Sequence, residues 1–413
     1  MTAALANNRG FGSLGVVDTD RVEVLEAALA AIGKVDTRER ALLLATLCNE
    51  LTYGPLERRR ALADEAKAIA RRVGDPATVV QVLYTVHLTA LCIPSTLGER
   101  LRDTAEALDR AEALGDPVHL YWAAAGNRAA AVQAGDSATG ARRLAAMKAV
   151  SERLRQPTMR WTTRFHEAAD ALLAGDSALA EELATEALQI GTDSGQPDAF
   201  AFYGAQLIWS RMQQGRLGEL VPLVADTVAQ NPGVAGFHAA LALACVQGGD
   251  DGEGSRLVGE AASMGFHRVP MDIAWMAAMV NYSLVAIQLK AKEPAEQLAG
   301  LLSPYHEQVA FQGVIGQTPV ALCLGGLATL LGRDEDAERY FAEASDLNVR
   351  CNMRYAAAHT DFLWGIMLST RGRPGDMSRA RSLLNQAHAV ATDGGYGIIE
   401  SRAASALTPY DRA

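Results

Sequence analysis

The chain reads as all-α, a solenoid of about nine helical hairpins, and three observations carry that reading. Gly135, Gly175 and Gly215 lie 40 residues apart, as do Gly332 and Gly372, while Gly74 and Gly115 form an interleaved series 41 residues apart. A fixed period of this length marks a repeating helix pair, with one glycine set closing the first helix and the other closing the second. The glycines also sit in stop-and-start junctions. In Gly74-Asp75-Pro76 and Gly115-Asp116-Pro117 the Gly supplies a left-handed end, the Asp an oxygen for free N–H groups, and the Pro a first helical turn. Gly135-Asp136-Ser137 and Gly175-Asp176-Ser177 do the same with Ser. Between junctions run segments of roughly 15 to 20 residues rich in Ala, Leu, Glu and Arg, long enough for helices and without strand-like alternation, so no sheet is expected.

Taken in order, the spacing predicts a helix near 19–32 and then alternating A and B helices. The A helices fall near 37–51, 76–91, 117–134, 157–174, 197–214, 232–247, 270–291, 308–331 and 352–371. Their B partners fall near 55–73, 95–114, 137–155, 177–193, 217–230, 252–264, 293–302, 334–347 and 376–393, with a short last helix near 397–406. Asn231-Pro232 and Ser303-Pro304 read as cap-plus-proline starts; Gly249 follows Gly215 by 34 residues and Lys292-Glu293-Pro294 replaces a Gly turn, so the middle is least regular. Residues 1–18 are expected to form an N-terminal arm, 19–406 one continuous array, and 407–413 a tail. Because each repeat of such a stack buries its face on its neighbour, the predicted shape is elongated or curved.

Over residues 318–344 the pattern becomes specific: Leu324-Gly325, Gly332, Ala337, Phe341 and Ala344 stand at the spacing of the tetratricopeptide (TPR) signature, and the chain resembles that family. The next copy keeps Trp364-Gly365 and Gly372, then needs Arg373-Pro374-Gly375 before Ala380, Leu384 and Ala387 come into step. Copies at 161–190 and 201–230 keep the turn Gly and match best at Ala180 and Ala187. The resemblance implies a right-handed superhelix whose A helices line a concave groove.

The chain also resembles the C-terminal helical half of large actinobacterial ATP-binding regulators of the LuxR-type and adenylate-cyclase-associated kinds. The residues concerned are Leu5-Ala6-Asn7-Asn8-Arg9-Gly10-Phe11, the run from Asp20 to Leu29, Arg58-Arg59-Arg60-Ala61-Leu62, Arg72 to Ala77, and Leu331 to Glu338. In that family an ATPase module precedes the repeats and a cyclase or DNA-binding unit sits at one end. No Gly-x-x-x-x-Gly-Lys-Ser/Thr phosphate loop is present and the chain ends at Ala413 just after its last helix, so ATPase, cyclase and DNA-binding activities are not expected.

Charge and cysteine usage narrow the class. A net charge of −10 over 413 residues and a pI near 5.4 argue against a nucleic-acid footprint, and Arg58-Arg59-Arg60 and Arg142-Arg143 read as solvated helix faces. Cys48, Cys92, Cys245, Cys323 and Cys351 are scattered without a Cys-x-x-Cys pair, which suggests reduced thiols and a cytoplasmic location. Gln308 to Gly332 carries no charge and is long enough to span a bilayer, but Gln308, Gln312, Gln317, Thr318, Pro319 and its glycines dilute it, so no membrane span is expected.

No catalytic constellation is legible. There is no His-Glu-x-x-His, no Gly-x-Ser-x-Gly and no zinc-type spacing, so no catalytic residue, cofactor or metal is expected. His166 and Asp170 make an (i, i+4) pair that a polar helix surface accounts for, and Gly248 to Gly254 reads as an inter-helix turn. The informative side chains are aromatic: Trp122, Trp161, Trp209, Trp275 and Trp364 all fall in A helices. Aligned on the turn glycines, the TPR resemblance places Trp364 in the core. It places Phe202, Trp209 and Met212, with Phe165 from the preceding A helix, toward the groove. Gln133, Gln213 and Gln247 share one such position in three repeats, where an amide ladder suits an extended peptide. The expectation is a non-catalytic scaffold binding a protein or peptide partner in a signalling or transcription-regulatory system. The alternative is a regulatory half that responds to a small effector. An enzyme inside an α-helical toroid is disfavoured, because no inward acid pair stands out.

Overall fold

The computed structural model describes residues 15, 17–231 and 234–411. Leu5 to Phe11, Pro232 of the expected Asn231-Pro232 start, and the last two residues of the tail lie outside the described residues. Within them the chain forms twenty α-helices packed in sequence. Helix α1 (Thr19–Ile32) precedes the pairs. The A helices are α2 (Arg38–Glu50), α4 (Pro76–Leu88), α6 (Pro117–Gln133), α8 (Pro157–Ala174), α10 (Ala199–Gln214), α12 (Ala235–Gln247), α14 (Trp275–Leu289), α16 (Val320–Leu330) and α18 (Arg354–Arg371). The B helices are α3 (Leu56–Val73), α5 (Leu97–Leu114), α7 (Ser137–Leu154), α9 (Ser177–Asp193), α11 (Val221–Gln230), α13 (Asp251–Ser263), α15 (Lys292–Leu302), α17 (Asp334–Arg350) and α19 (Asp376–Gly394), followed by α20 (Gly397–Asp411).

The junction chemistry works as the spacing requires. The turn glycines at 74, 115, 135, 175, 215, 332 and 372 are all left-handed, with φ between +65° and +81°. The carboxylates of Asp75, Asp116, Asp136 and Asp176 accept from the backbone N–H groups of Thr78, Val118, Thr139 and Leu179, which ties off the exposed donors of each new helix. Packing within a pair depends on small residues: a Cβ on Gly325 of α16 would sit 2.6 Å from the Phe341 ring of α17. The inter-helix turn expected at Gly248–Gly254 is confined to 248–250, because α13 already starts at Asp251, with Asp250 capping it through the N–H of Glu253 at 2.9 Å.

Two features depart from the expected solenoid. Where a helix over 308–331 was expected, strands β1 (Val309–Phe311) and β2 (Gly316–Pro319) pair antiparallel, and α16 begins only after Pro319. Gly313, at φ +99°, and Pro319 interrupt a helix, while Val309, Val314 and Ile315 favour extended backbone. Ser303-Pro304, expected to start that helix, forms a short 3₁₀ turn after α15. The second departure is closure, since early repeats meet late ones as well as their neighbours. The carbonyl of Gly135, after α6, accepts from Arg350 Nε at 3.1 Å, and that of Gly175, after α8, accepts from Tyr396 Oη at 3.0 Å. Arg59 of α3 donates to the Met271 carbonyl at 2.6 Å. Helix α8 packs on α18 and α10 on α20.

These contacts revise three sequence readings. Arg59 lies buried at 1 % exposure rather than on a solvated face, because its guanidinium serves backbone carbonyls of two separate repeats. Arg143 turns inward to the Asn127 Oδ1 at 3.1 Å, leaving Arg142 exposed. The uncharged stretch Gln308–Gly332 is divided between the hairpin and α16, whose 11 residues are almost all buried in protein. No helix among the described residues is long and apolar enough to cross a membrane.

Candidate functional site

The hairpin β1–β2 lies against the inward faces of the A helices, touching α6, α8, α14, α16 and α18. Arg128 of α6 is fully buried, pairs with Asp170 of α8, places Nη1 2.7 Å from His166 Nδ1, and lies 5.1 Å from the Phe311 ring centroid. Burial first, then the Arg128 charge, drives His166 well below the usual histidine range, so its neutral ring accepts from Arg128. His166 is therefore a buried support for a guanidinium rather than part of a polar surface pair, while Asp170 reaches the same guanidinium from a half-exposed position. Amides hold the hairpin itself. Gln206 Nε2 of α10 donates to the carbonyls of Phe165 (2.8 Å) and Val314 (2.7 Å). Gln133 Nε2 donates to Gln308 Oε1 at 2.7 Å while Arg100 donates to its Oε1, and Gln317 Nε2 reaches Asn281 Oδ1 at 3.2 Å.

The residues placed toward the groove by sequence separate into four settings. Phe165 and Phe202 join Trp161 in an aromatic cluster with centroids 5.1 to 5.2 Å apart. Trp209, at 2 % exposure, belongs to the large central core, and Gln213 donates to the Leu172 carbonyl at 2.7 Å inside the stack. Gln133 meets the hairpin, whereas Met212 and Gln247 line a separate cavity. The three glutamines thus form no single ladder, since the array's curvature and the hairpin separate them. All five tryptophans do lie in A helices, and Trp364 stacks on Phe341 in a satellite core.

That cavity lies between α10, α12, α14, α18 and α20, where the late repeats meet the earlier ones. It measures about 40 Å³ open to the centres of water-sized groups, within a recess of about 480 Å³ that continues to solvent. Its polar members are Gln247, Gln288, Tyr355, His359 and Arg402. Burial lowers the Arg402 guanidinium from its ordinary range, with Tyr355 and Asp251 opposing, and none of its nitrogens has a hydrogen-bond or ion-pair partner among the described residues. The Gln247 Oε1 is likewise buried without a partner. His359 is pushed down to about 4 by burial and by Arg402, so it is neutral at pH 7.

A third polar cluster joins α3, α4 and α5. His87, Glu99 and Asp103 bring ligand-type atoms within 4.8 Å of one another, a reach that suits a metal. The ammonium of Lys67 occupies that position, bonding to Glu99 and, at 3.2 Å, to Asp103. Burial keeps His87 neutral, and its Nε2 lies 2.7 Å from Asp103 Oδ2, so the ring donates there. Burial opposes ionisation of Asp103, but His87 and Lys67 outweigh it and hold the carboxyl well below the usual range. With an ammonium at its centre, the cluster acts as an ionic tie between three helices.

Arg128, Gln206 and Arg402 were not singled out by sequence reasoning. A signal existed for Arg128, the lone Arg or Lys in the Ala-rich helix α6, where a charge among small apolar residues implies a buried partner. The cysteines are unpaired, and burial pushes the Cys48 and Cys323 thiols up to about 12, which leaves them unreactive. No protein-family model matches the chain, and no curated protein matches it.

Proposed function

We propose that the chain is a non-catalytic, TPR-like regulatory array, the sensory half of a cytoplasmic signalling or transcription-regulatory system that responds to a small effector. One observation supports this above the others: the inward A-helix face, which a right-handed TPR superhelix offers to a partner, is filled by the chain's own hairpin and late repeats, leaving space only for a small molecule. Because early and late repeats are tied to each other as well as to their neighbours, an effector that binds one closure state better than another shifts the balance between them.

A second reading, the protein-binding scaffold, draws support from how the hairpin is held. Gln206 grips the Val314 carbonyl as a groove amide would grip an extended peptide, so the A face suits that mode of recognition.

One experiment tests the regulatory reading: affinity capture from native lysate using the wild type and a Gly316→Ala variant that crowds the hairpin. The same partner, carrying an ATPase or DNA-binding module, should be recovered by both in clearly different amounts. Equal recovery by the two forms, or no such partner with either, would overturn it.

A further inference from the structure

We propose that the cavity between α10, α12, α14, α18 and α20 binds a small aliphatic monocarboxylate, its acid group on Arg402 and its carbon chain toward Met212, Leu243 and Phe362. This rests on the regulatory reading above and names the effector's chemical class.

The argument starts from a polar group left without a partner. The buried cations of the array all have protein acceptors: Arg128 has Asp170, Lys67 has Glu99 and Asp103, Arg371 has Asp376 and Glu338, and Arg59 and Arg100, which have no carboxylate, donate to carbonyl, hydroxyl and amide oxygens. Arg402 has no ion pair, and Asp251 acts on it only at a distance. Arg402 is half-buried at the cavity wall with its donors free, and a ligand carboxylate supplies the bidentate partner it lacks. The neighbouring groups fix the charge of that ligand. His359 is neutral at pH 7, and Gln247 and Gln288 are uncharged, so the site carries a single positive charge. A dianion would retain an uncompensated charge, a cation would be repelled, and a neutral molecule would leave Arg402 unpaired. The Gln247 amide, with its Oε1 unsatisfied, can turn its NH₂ toward the second carboxylate oxygen.

The rest of the lining sets the body of the ligand. Met212, Leu243, Leu284 and Phe362 favour hydrocarbon over further polar groups. The inner cavity of about 40 Å³ holds the acid group and little more, and the recess beyond it admits a short chain. The location gives binding a consequence, because α18 and α20 belong to the late repeats while α10, α12 and α14 belong to the earlier ones. A molecule seated there bridges the closure.

The test is calorimetric titration of the full chain with butyrate, 1-butanol and butylammonium, followed by His359 ring resonances in NMR and by small-angle scattering. Butyrate should bind saturably at one site and shift the His359 resonances, while the alcohol and the amine should not bind. Arg402→Gln should weaken butyrate at least tenfold. Gln247→Glu, which places a like charge beside the acid, should do the same with the helical circular dichroism retained. Absence of butyrate binding, equal binding of 1-butanol, or undiminished binding by Arg402→Gln would overturn the proposal. The two readings fail separately. Binding with unchanged scattering dimensions keeps the site and counts against transmission through closure, whereas no binding removes the site and leaves partner capture to judge the regulatory reading.

Discussion

Two patches of the inward A-helix face carry the same three residue types and end in opposite states. Under the hairpin, the chain meets the charge and the amide donors of Arg128, His166 and Gln206: Asp170 pairs the arginine, the neutral histidine accepts from it, and the Phe165 and Val314 carbonyls accept from the glutamine amide, whose Oε1 stays buried without a partner. At the closure with α20, Arg402, His359 and Gln247 line a cavity, and among the described residues no carboxylate or carbonyl takes the donors of Arg402 or of the Gln247 amide. The comparison teaches that a polar triad on this face is not in itself a site. What separates structure from function here is whether the chain brings its own carboxylate and its own backbone to the triad.

The largest expected difference comes from the two arginines. Asp170→Ala leaves the fully buried Arg128 guanidinium without its carboxylate and should cost about 3 kcal/mol, since breaking one side of a buried pair strands the other charge. Arg402→Gln removes a charge that has no partner and should change stability by less than about 1 kcal/mol in either direction. Urea denaturation of both variants checks this. Equal losses would mean that Arg402 is as well compensated as Arg128 and would erase the contrast.

A smaller effect tests the hairpin that seals the first patch. A Cβ at Gly316 would lie 2.2 Å from the Leu173 Cγ of α8, so Gly316→Ala forces either the strand or the helix to move. Overpacking of this kind should cost about 1–3 kcal/mol. Amide exchange should quicken in 309–319 while α2 to α5 stay protected. Uniform loss of protection would show that the hairpin and the array melt as one unit.

How much of this was legible beforehand follows the range of the interactions. The pairing of helices, the left-handed turn glycines and the Asp caps depend on residues within a few positions of one another, and the period showed them. Placing the tryptophans in A helices needed only the period as well. The hairpin was read as helix because the repeat spacing put an A helix over 308–331, and because what favours the extended form is burial among helices nearly two hundred residues earlier, such as Arg128 and Gln133. Closure is invisible for the same reason: the carbonyls of Gly135 and Gly175 meet Arg350 and Tyr396 across more than half the chain, and no local pattern encodes that approach. Of the groove residues, Met212 and Gln247 do share a cavity, but the arginine that gives it chemistry lies in α20, which sequence reading treated as a terminal helix.

The glutamines give a finer version of the contrast. Gln206→Ala deprives the Phe165 and Val314 carbonyls of their donor and should cost about 1–2 kcal/mol, whereas the Gln247 amide donates to no acceptor among the described residues, so Gln247→Leu should be neutral or slightly stabilising. Thermal unfolding of the two single variants suffices. A loss for Gln247→Leu as large as for Gln206→Ala would mean that the Gln247 amide is held by a partner, which would remove one reason to regard the second patch as incomplete.

The smallest effect concerns protons, and it distinguishes the two histidines. Burial holds His359 down at about 4, with the Arg402 charge as the second cause; His166 is likewise held well below the usual histidine range, by burial and by Arg128. A histidine depressed in the folded state binds its proton more readily when unfolded. The stability that His359 contributes is therefore complete above its unfolded value of about 6.5 and is lost as pH falls from there through about 4. In Arg402→Gln the repulsion disappears and the burial remains, so the His359 midpoint should rise part of the way toward 6.5 and its share of acid sensitivity should shrink. His166 should not move in that variant, because its cation is Arg128. NMR titration of both rings between pH 3 and pH 8 reads the two midpoints directly, in about the range where an unperturbed imidazole titrates. A His359 midpoint that stays fixed when Arg402 is neutralised would show that the two side chains do not feel each other across the cavity, and the second patch would then lack the electrostatic unity that the first has in Arg128, His166 and Asp170.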